Sequence, residues 1–216
     1  MGTFLLTPFI RTLRVMIPPI FQSRCETAKS LPLSHSDHIH HYRSPLGGIT
    51  MASDGTALKG LWFDGQRFFG STLSPEHQET ALPVFDRTDA WLDLYFSGKA
   101  PDFTPPLSLK ATEFRRMIWE LLLTIPYGQT ITYGELANLA ARKRGVSRMS
   151  AQAVGGAVGH NPISLIIPCH RVIGAGGSLT GYAAGLDRKA RLLQMESEQG
   201  DGFAQQNCPP GKPILR

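Results

Sequence analysis

The stretch Asn161-Pro162-Ile163-Ser164-Leu165-Ile166-Ile167-Pro168-Cys169-His170-Arg171 constrains the fold more than any other part of the chain. Its isoleucines and leucine demand burial, and prolines near both ends stop a helix from running through it. Asn161-Pro162 is turn chemistry, and Pro168 forces a second change of direction. The protein must therefore bury a short apolar segment and present a cysteine beside a histidine at its end. Only a thiolate is a good sulfur nucleophile, so a base or cation has to lower the cysteine pKa. His170 is the obvious candidate, but adjacent side chains on extended backbone point to opposite faces. A direct Cys169–His170 dyad is not expected. A turn after Pro168 with a bridging water would connect them, and the histidine would then need a carboxylate partner. Read alone, such a pair is more often a small buried cysteine and a structural histidine than a nucleophile and its base.

At 216 residues, 42% hydrophobic and 18% charged, the chain can build the required core. Charge is uneven: residues 38–106 carry 5 basic and 8 acidic side chains, and residues 107–216 carry 13 and 7. A basic C-terminal half facing a polyanion is one reading, and a solvated basic face is the other. Cys25, Cys169 and Cys208 lie far apart without a Cys-x-x-Cys pair, which argues for a reducing compartment over a disulfide framework. No apolar run reaches membrane-spanning length, so no membrane partner is expected. Residues 1–24 hold Arg11, Arg14 and Arg24 and no acid, but Pro8 and Pro18-Pro19 break the apolar centre of a targeting peptide. They read as a disordered extension, or as a start placed too far upstream with Met16 as the alternative.

The pattern along the chain predicts an α+β protein. Residues 1–37 form an extension ending in a polar linker. Residues 38–106 form a small antiparallel-sheet domain, residues 107–198 a mainly helical domain with a helix-turn-helix unit, and residues 199–216 a tail. Strands are expected over Ile39–Arg43, Gly48–Ala52 and Ala57–Phe63. Ser44-Pro45-Leu46-Gly47 and Ser53-Asp54-Gly55 separate them. A helix led by Asp86 carries Trp91, Leu92, Tyr95 and Phe96 on one face and ends at Gly98. Phe114, Met117, Ile118, Leu121, Leu122 and Ile125 mark an amphipathic helix stopped by Pro126 and Gly128. Thr132 with Glu135 is a capping box for the next helix, and Ser150 starts another after a basic turn. That last helix is nearly bare: Ala151, Ala153, Gly155, Gly156, Ala157, Gly159. Repeated glycine costs about 1 kcal/mol each against alanine, so it asks for close helix packing or close approach to a DNA groove.

The cysteine segment resembles the active-site segment of the O6-alkylguanine-DNA alkyltransferases, the methylated-DNA–protein-cysteine methyltransferases. Phe114-Arg115-Arg116, Ile125-Pro126-Tyr127-Gly128, Thr132-Tyr133-Gly134-Glu135-Leu136-Ala137, Ala153-Val154-Gly155-Gly156-Ala157 and Gly181-Tyr182-Ala183-Ala184-Gly185-Leu186-Asp187-Arg188-Lys189 are similar to the family's C-terminal domain. Ser44-Pro45-Leu46-Gly47 and Leu94-Tyr95-Phe96-Ser97-Gly98 match its sheet domain more loosely. The resemblance implies a single-turnover enzyme that moves the alkyl group of O6-methylguanine in DNA onto its own Cys169, without cofactor or metal. It leaves O4-methylthymine open as a second substrate. Position by position, His170 would take the thiol proton through a water, Glu196 would support the imidazolium, and Asn161 would brace the turn. Tyr133 would donate to N3 of the guanine and crowd the adjacent phosphate. The carbonyls of Cys169 and Val172 would read the 2-amino group. Tyr182 would wall the pocket, and the Ala183 amide would face O6. A base must leave the stack to reach a buried sulfur. The implied partner is therefore double-stranded DNA, bound by a monomer through the minor groove at Ala151, Gln152, Gly155 and Arg148. Arg142, Lys143 and Arg144 would meet phosphates. The implied location is cytoplasmic and nucleoid-associated in a bacterium, nuclear in a eukaryote.

One departure stands out: Gln152 occupies the position of the family's inserting arginine, and Arg148 lies one turn earlier. The loop Ala141–Ser150 also looks longer than usual. The family's zinc site is not expected. His35, His38, His40 and His41 near Cys25 lack a second cysteine and read as a solvated linker. The competing reading from another class is a non-catalytic lesion-binding protein of this fold. A cysteine hydrolase is disfavoured by the adjacent Cys-His pair.

Overall fold

The computed structural model describes residues 36–207, with side-chain surroundings for 36–198. The expected N-terminal extension, Met16, Cys25, His35 and Cys208 lie outside the described residues. The first half is a sheet of β1 (Asp37–Ser44), β2 (Gly47–Ser53), β3 (Leu58–Phe63) and β4 (His77–Glu79), in the order β3-β2-β1-β4. The three expected strands pair antiparallel, and β4 joins β1 in parallel. All three residues of β4 are exposed, so no hydrophobic alternation announces it. The two expected turns are present. At the first, Gly47 takes φ +116°; at the second, Asp54 Oδ1 accepts from the Thr56 and Ala57 amides in an Asx-type turn.

Residues expected in the linker belong to the sheet. Asp37 is buried in β1 and paired with Lys59 at 2.7 Å. His38, His40 and His41 also lie on β1, bonded to Thr80, Asp89 and Thr50, so they are strand residues and not a solvated linker.

Helix α1 (Pro83–Phe96) begins three residues before Asp86, because Pro83 at the first position is preset for helical φ. Gly98 follows its end at φ +83°, as expected. Helix α2 (Glu113–Leu123) buries Met117, Ile118, Trp119 and Leu122 and stops before Pro126. A two-residue strand β5 (Ile131–Thr132) leads into α3 (Tyr133–Arg144), whose capping box is complete: Thr132 Oγ1 accepts from the Glu135 amide while Glu135 accepts from the Thr132 amide. Gly145 closes α3 at φ +67°. Helix α4 (Ala151–Gly159) starts at the Ser150 cap. The connection expected to run from Ala141 is therefore shorter, since Arg142, Lys143 and Arg144 form the last helical turn of α3.

Strand β6 (Val172–Ile173) pairs with β5 in parallel. Helix α5 (Leu186–Asn207) then carries Glu196 and continues past residue 198, where the tail was expected to begin. One hydrophobic cluster runs from Ile49 and Phe63 through Tyr95 and Ile118 to Ile167 and Leu192, so both halves share a core. The apolar segment docks directly on β3: Leu61 N–H donates to Pro162 O, and Ser164 N–H donates to Leu61 O.

Candidate active site

The cysteine is presented by turns, not by a strand. Asn161 braces them: its Nδ2 donates to Ile163 O at 3.2 Å, to Ile167 O at 2.8 Å and to Cys169 Sγ at 3.2 Å, while its Oδ1 accepts from Ile163 N–H. Leu165 sits at φ +69°, rare for a residue with a Cβ, and the Ile166 amide bonds across it to Ser164 O. Pro168, at φ −80° and ψ 63°, centres an inverse γ-turn closed by Cys169 N–H to Ile167 O. Cys169, His170 and Arg171 then form a single 3₁₀ turn. Extended-backbone reasoning about opposite faces does not apply here. The direct dyad is replaced because the imidazole is aimed elsewhere: His170 Nε2 lies 2.7 Å from Glu196 Oε1.

Glu196 is fully buried and receives further bonds from Arg171 Nε and Nη2, the Gly128 amide and the Tyr95 hydroxyl. Burial alone would raise its carboxyl pKa, but the bonds from His170 and Arg171 outweigh it and hold it at about 2. An ionised carboxylate accepts only, so the His170 proton is on Nε2. His170 Nδ1 is buried with no protein partner, which leaves it as the basic nitrogen. Burial pushes the Cys169 thiol pKa up, against the Asn161 bond and the nearby Lys189 charge. Burial also pushes the His170 pKa down, against the pull of Glu196. Cysteine and histidine are thus both neutral at rest.

Lys189 is fully buried and donates to Val172 O and, at 2.6 Å, to Thr180 O. The Val172 carbonyl keeps one lone pair for a ligand. Tyr182 lies with its ring 6.3 Å from that of His170 and its hydroxyl buried without a protein partner. The Ala183 carbonyl accepts from Arg67 N–H, tying this loop to the first half. Tyr133, at the start of α3, reaches the loop through its hydroxyl, 3.4 Å from Gly181 O. A Cβ on Gly155 would lie 3.6 Å from the Tyr133 ring, so α4 also borders this residue.

The structure brings Ala151, Gln152 and Arg148 together with Gly134, Asn138 and Met149 around a concavity of about 660 Å³. Arg142 faces a different one of about 390 Å³, beside Ile125, Gln129 and Glu135. Lys143 is paired with Glu120 at 2.6 Å. On α4 a Cβ at Gly156 or Gly159 would meet nothing within 4 Å, so helix packing does not explain these glycines. Sequence reasoning gave no role to Arg171, Lys189 or Tyr95. All three stand inside motifs that resemble the family's, and Tyr95 also belongs to the apolar face of its helix.

Two family descriptions match the chain: "6-O-methylguanine DNA methyltransferase, ribonuclease-like domain" over residues 38–109, and "6-O-methylguanine DNA methyltransferase, DNA binding domain" over residues 113–198. The methylated-DNA–protein-cysteine methyltransferase of Mycobacterium tuberculosis is 42% identical over 164 residues, 74% of this chain and 93% of the relative. That of Haemophilus influenzae is 40% identical over 158 residues, 72% of this chain and 84% of the relative. The crystal structure of Mycobacterium tuberculosis OGT in complex with DNA superposes with a TM-score of 0.65 at 40% identity, covering 75% of this chain and 94% of that one. Sequence and fold agree, and the protein belongs to the 6-O-methylguanine-DNA methyltransferase family.

Proposed function

We propose that this protein repairs DNA by direct reversal, moving the methyl group of O6-methylguanine irreversibly onto Cys169. One observation carries the reading: Cys169 is held by Asn161 beside a histidine whose Nε2 is occupied by an ionised buried glutamate and whose Nδ1 is unpartnered. In the transfer the bond from Sγ to the methyl carbon forms and the bond from that carbon to O6 breaks. The thiol proton passes through a water to His170 Nδ1; guanine leaves as its anion and takes a proton at N1 from water, and the imidazolium returns its proton to water, so the balance closes. Burial keeps the Tyr133 phenol protonated, so it can donate to N3 of the leaving base. The carbonyls of Cys169 and Val172 accept from the 2-amino group, Tyr182 walls the pocket, and the Ala183 amide faces O6. The thioether product is stable, and each molecule acts once.

DNA enters through the minor groove as the partner of a monomer, because the open glycines of α4 leave an element thin enough for a groove about 6 Å wide. Residues 38–106 and 107–198 act as the two domains of this machine. No helix among the described residues is long and apolar enough to cross a membrane. The reading places the protein with the chromosome: nucleoid-associated in a bacterial cytoplasm, nuclear in a eukaryote. The test is incubation with duplex DNA carrying a labelled O6-methyl group. Label should appear on the Cys169 peptide at no more than one equivalent; well-folded protein that transfers none sinks the proposal.

Two further results are expected at the DNA face. Neutralising Arg148 should lower the slope of log affinity against log salt by about 0.9, the loss of one phosphate contact. Arg142 and Arg144 should each contribute similarly, and Lys143 less, since Glu120 already holds it. Gln152→Arg should speed repair of duplex substrate and leave reaction with the free base unchanged, because arginine adds charge where the flipped base leaves a gap. Equal rates on duplex would show that Gln152 is not limiting.

A further inference from the structure

Glu196 collects its hydrogen bonds from both halves of the protein. His170, Arg171 and Gly128 supply those from the C-terminal half, while Tyr95 reaches it from α1 at 2.7 Å. Tyr95 is fully buried, stacked on Trp91 at 5.3 Å and edge-on to Tyr127 at 5.9 Å. A core tyrosine needs some partner for its hydroxyl. This one places its single proton on the same Oε1 that holds His170, and its oxygen lies 3.3 Å from His170 Nε2. We propose that Tyr95 is a positioning residue for alkyl transfer: its hydroxyl fixes Glu196 so that the carboxylate holds His170 protonated on Nε2, with Nδ1 turned to the Cys169 proton. The sheet domain is then part of the proton relay. This rests on the reading of Cys169 as the alkyl acceptor.

The chemistry predicts a signature that packing would not. Tyr95 is kept neutral by burial and by the Glu196 charge, so it acts only as a donor to the carboxylate. Without that donor, more of the Glu196 charge falls on His170. The groups facing His170 are Glu196 and Lys189 from α5, Arg171 beside it, Tyr95 from α1, and Cys169 and Tyr182 from the site loops. Only the glutamate among them favours the imidazolium. Loss of the Tyr95 proton therefore raises the pH at which His170 is protonated and stops serving as a base.

Tyr95→Phe keeps the ring and removes the hydroxyl. The measurement is the single-turnover rate of label transfer from O6-methylguanine duplex between pH 5 and 9, fitted to the reacting fraction so that unfolded molecules do not count. Tyr95→Phe should bind the duplex normally and react roughly tenfold more slowly at pH 7, since small misplacements of a catalytic group are costly. Its acid limb should lie at higher pH than in the wild type. Tyr42→Phe, which removes a surface bond from the sheet to Asp93 of the same helix, should change neither rate nor limb. An unchanged rate, or a slower rate with an unmoved acid limb, overturns the positioning role. Absence of transfer by the wild type would instead overturn the functional reading beneath it.

Discussion

Cys169→Ala will transfer no methyl group and will still bind a duplex containing O6-methylguanine. The substitution removes only the sulfur. Asn161 Nδ2 keeps its bonds to Ile163 O and Ile167 O, and Lys189 keeps Val172 O and Thr180 O, so the turns that shape the site survive. The stability cost should be on the order of 1 kcal/mol, typical of a single small core change. Label transfer and fluorescence anisotropy on the same duplex separate the two properties. Residual transfer would mean a second acceptor. Lost binding would mean that the sulfur holds the loop together, as the plain structural reading of a buried cysteine supposes.

Glu196→Gln should have the broadest consequences. It removes the carboxylate that compensates the buried Arg171 guanidinium and orients His170. Breaking a buried pair by neutralising one partner costs about 3–5 kcal/mol, because the remaining charge is uncompensated. The transfer rate should fall by about 10²–10⁴, the usual contribution of a positioned base, since the neutral amide no longer favours a protonated imidazole. The wild type carries the matching pH signature. The Glu196 carboxyl is held at about 2 against an ordinary 4.5, so its contribution to stability is full above pH 4.5 and lost as pH falls toward 2. That contribution is about 3 kcal/mol. His170, with its pKa lowered by burial, acts in the same direction: the folded state resists its protonation, so stability begins to fall below pH 6.5. Thermal melts of the wild type and of Glu196→Gln from pH 8 to pH 3 test this. A Glu196→Gln variant that melts like the wild type at pH 7 would show that Arg171 finds another partner.

These expectations depend on groups with very different visibility in the chain. The strands of the first sheet, the capping box at Thr132, the Ser150 cap and the turn-bounded cysteine were readable because each signal acts within a few residues. β4 was not, since three exposed residues carry no periodicity, and α1 began earlier because Pro83 outweighed Asp86. Cys169 and His170 stand out by their own chemistry and Asn161 by its turn, while their roles and Glu196 come from a family resemblance; the fold brings all four to one place. Arg142, Lys143 and Arg148 form one basic stretch in the sequence; in the fold Arg142 lines one concavity, Arg148 lines another, and Lys143 pairs with Glu120.

By itself the sequence determined that the chain must bury an apolar segment between two turns and build a nearly bare helix. Those are demands of hydrophobic burial and local backbone sterics. Only the tertiary structure decided which imidazole nitrogen is left basic, because that depends on where a carboxylate ends up. Glu196 lies 26 positions from His170 and 101 from Tyr95, and Gly128 is 68 away. No local pattern encodes contacts at such separations. They exist because both halves close around one core, and the low-dielectric interior that results makes each of those hydrogen bonds strong enough to choose the protonation state of the site.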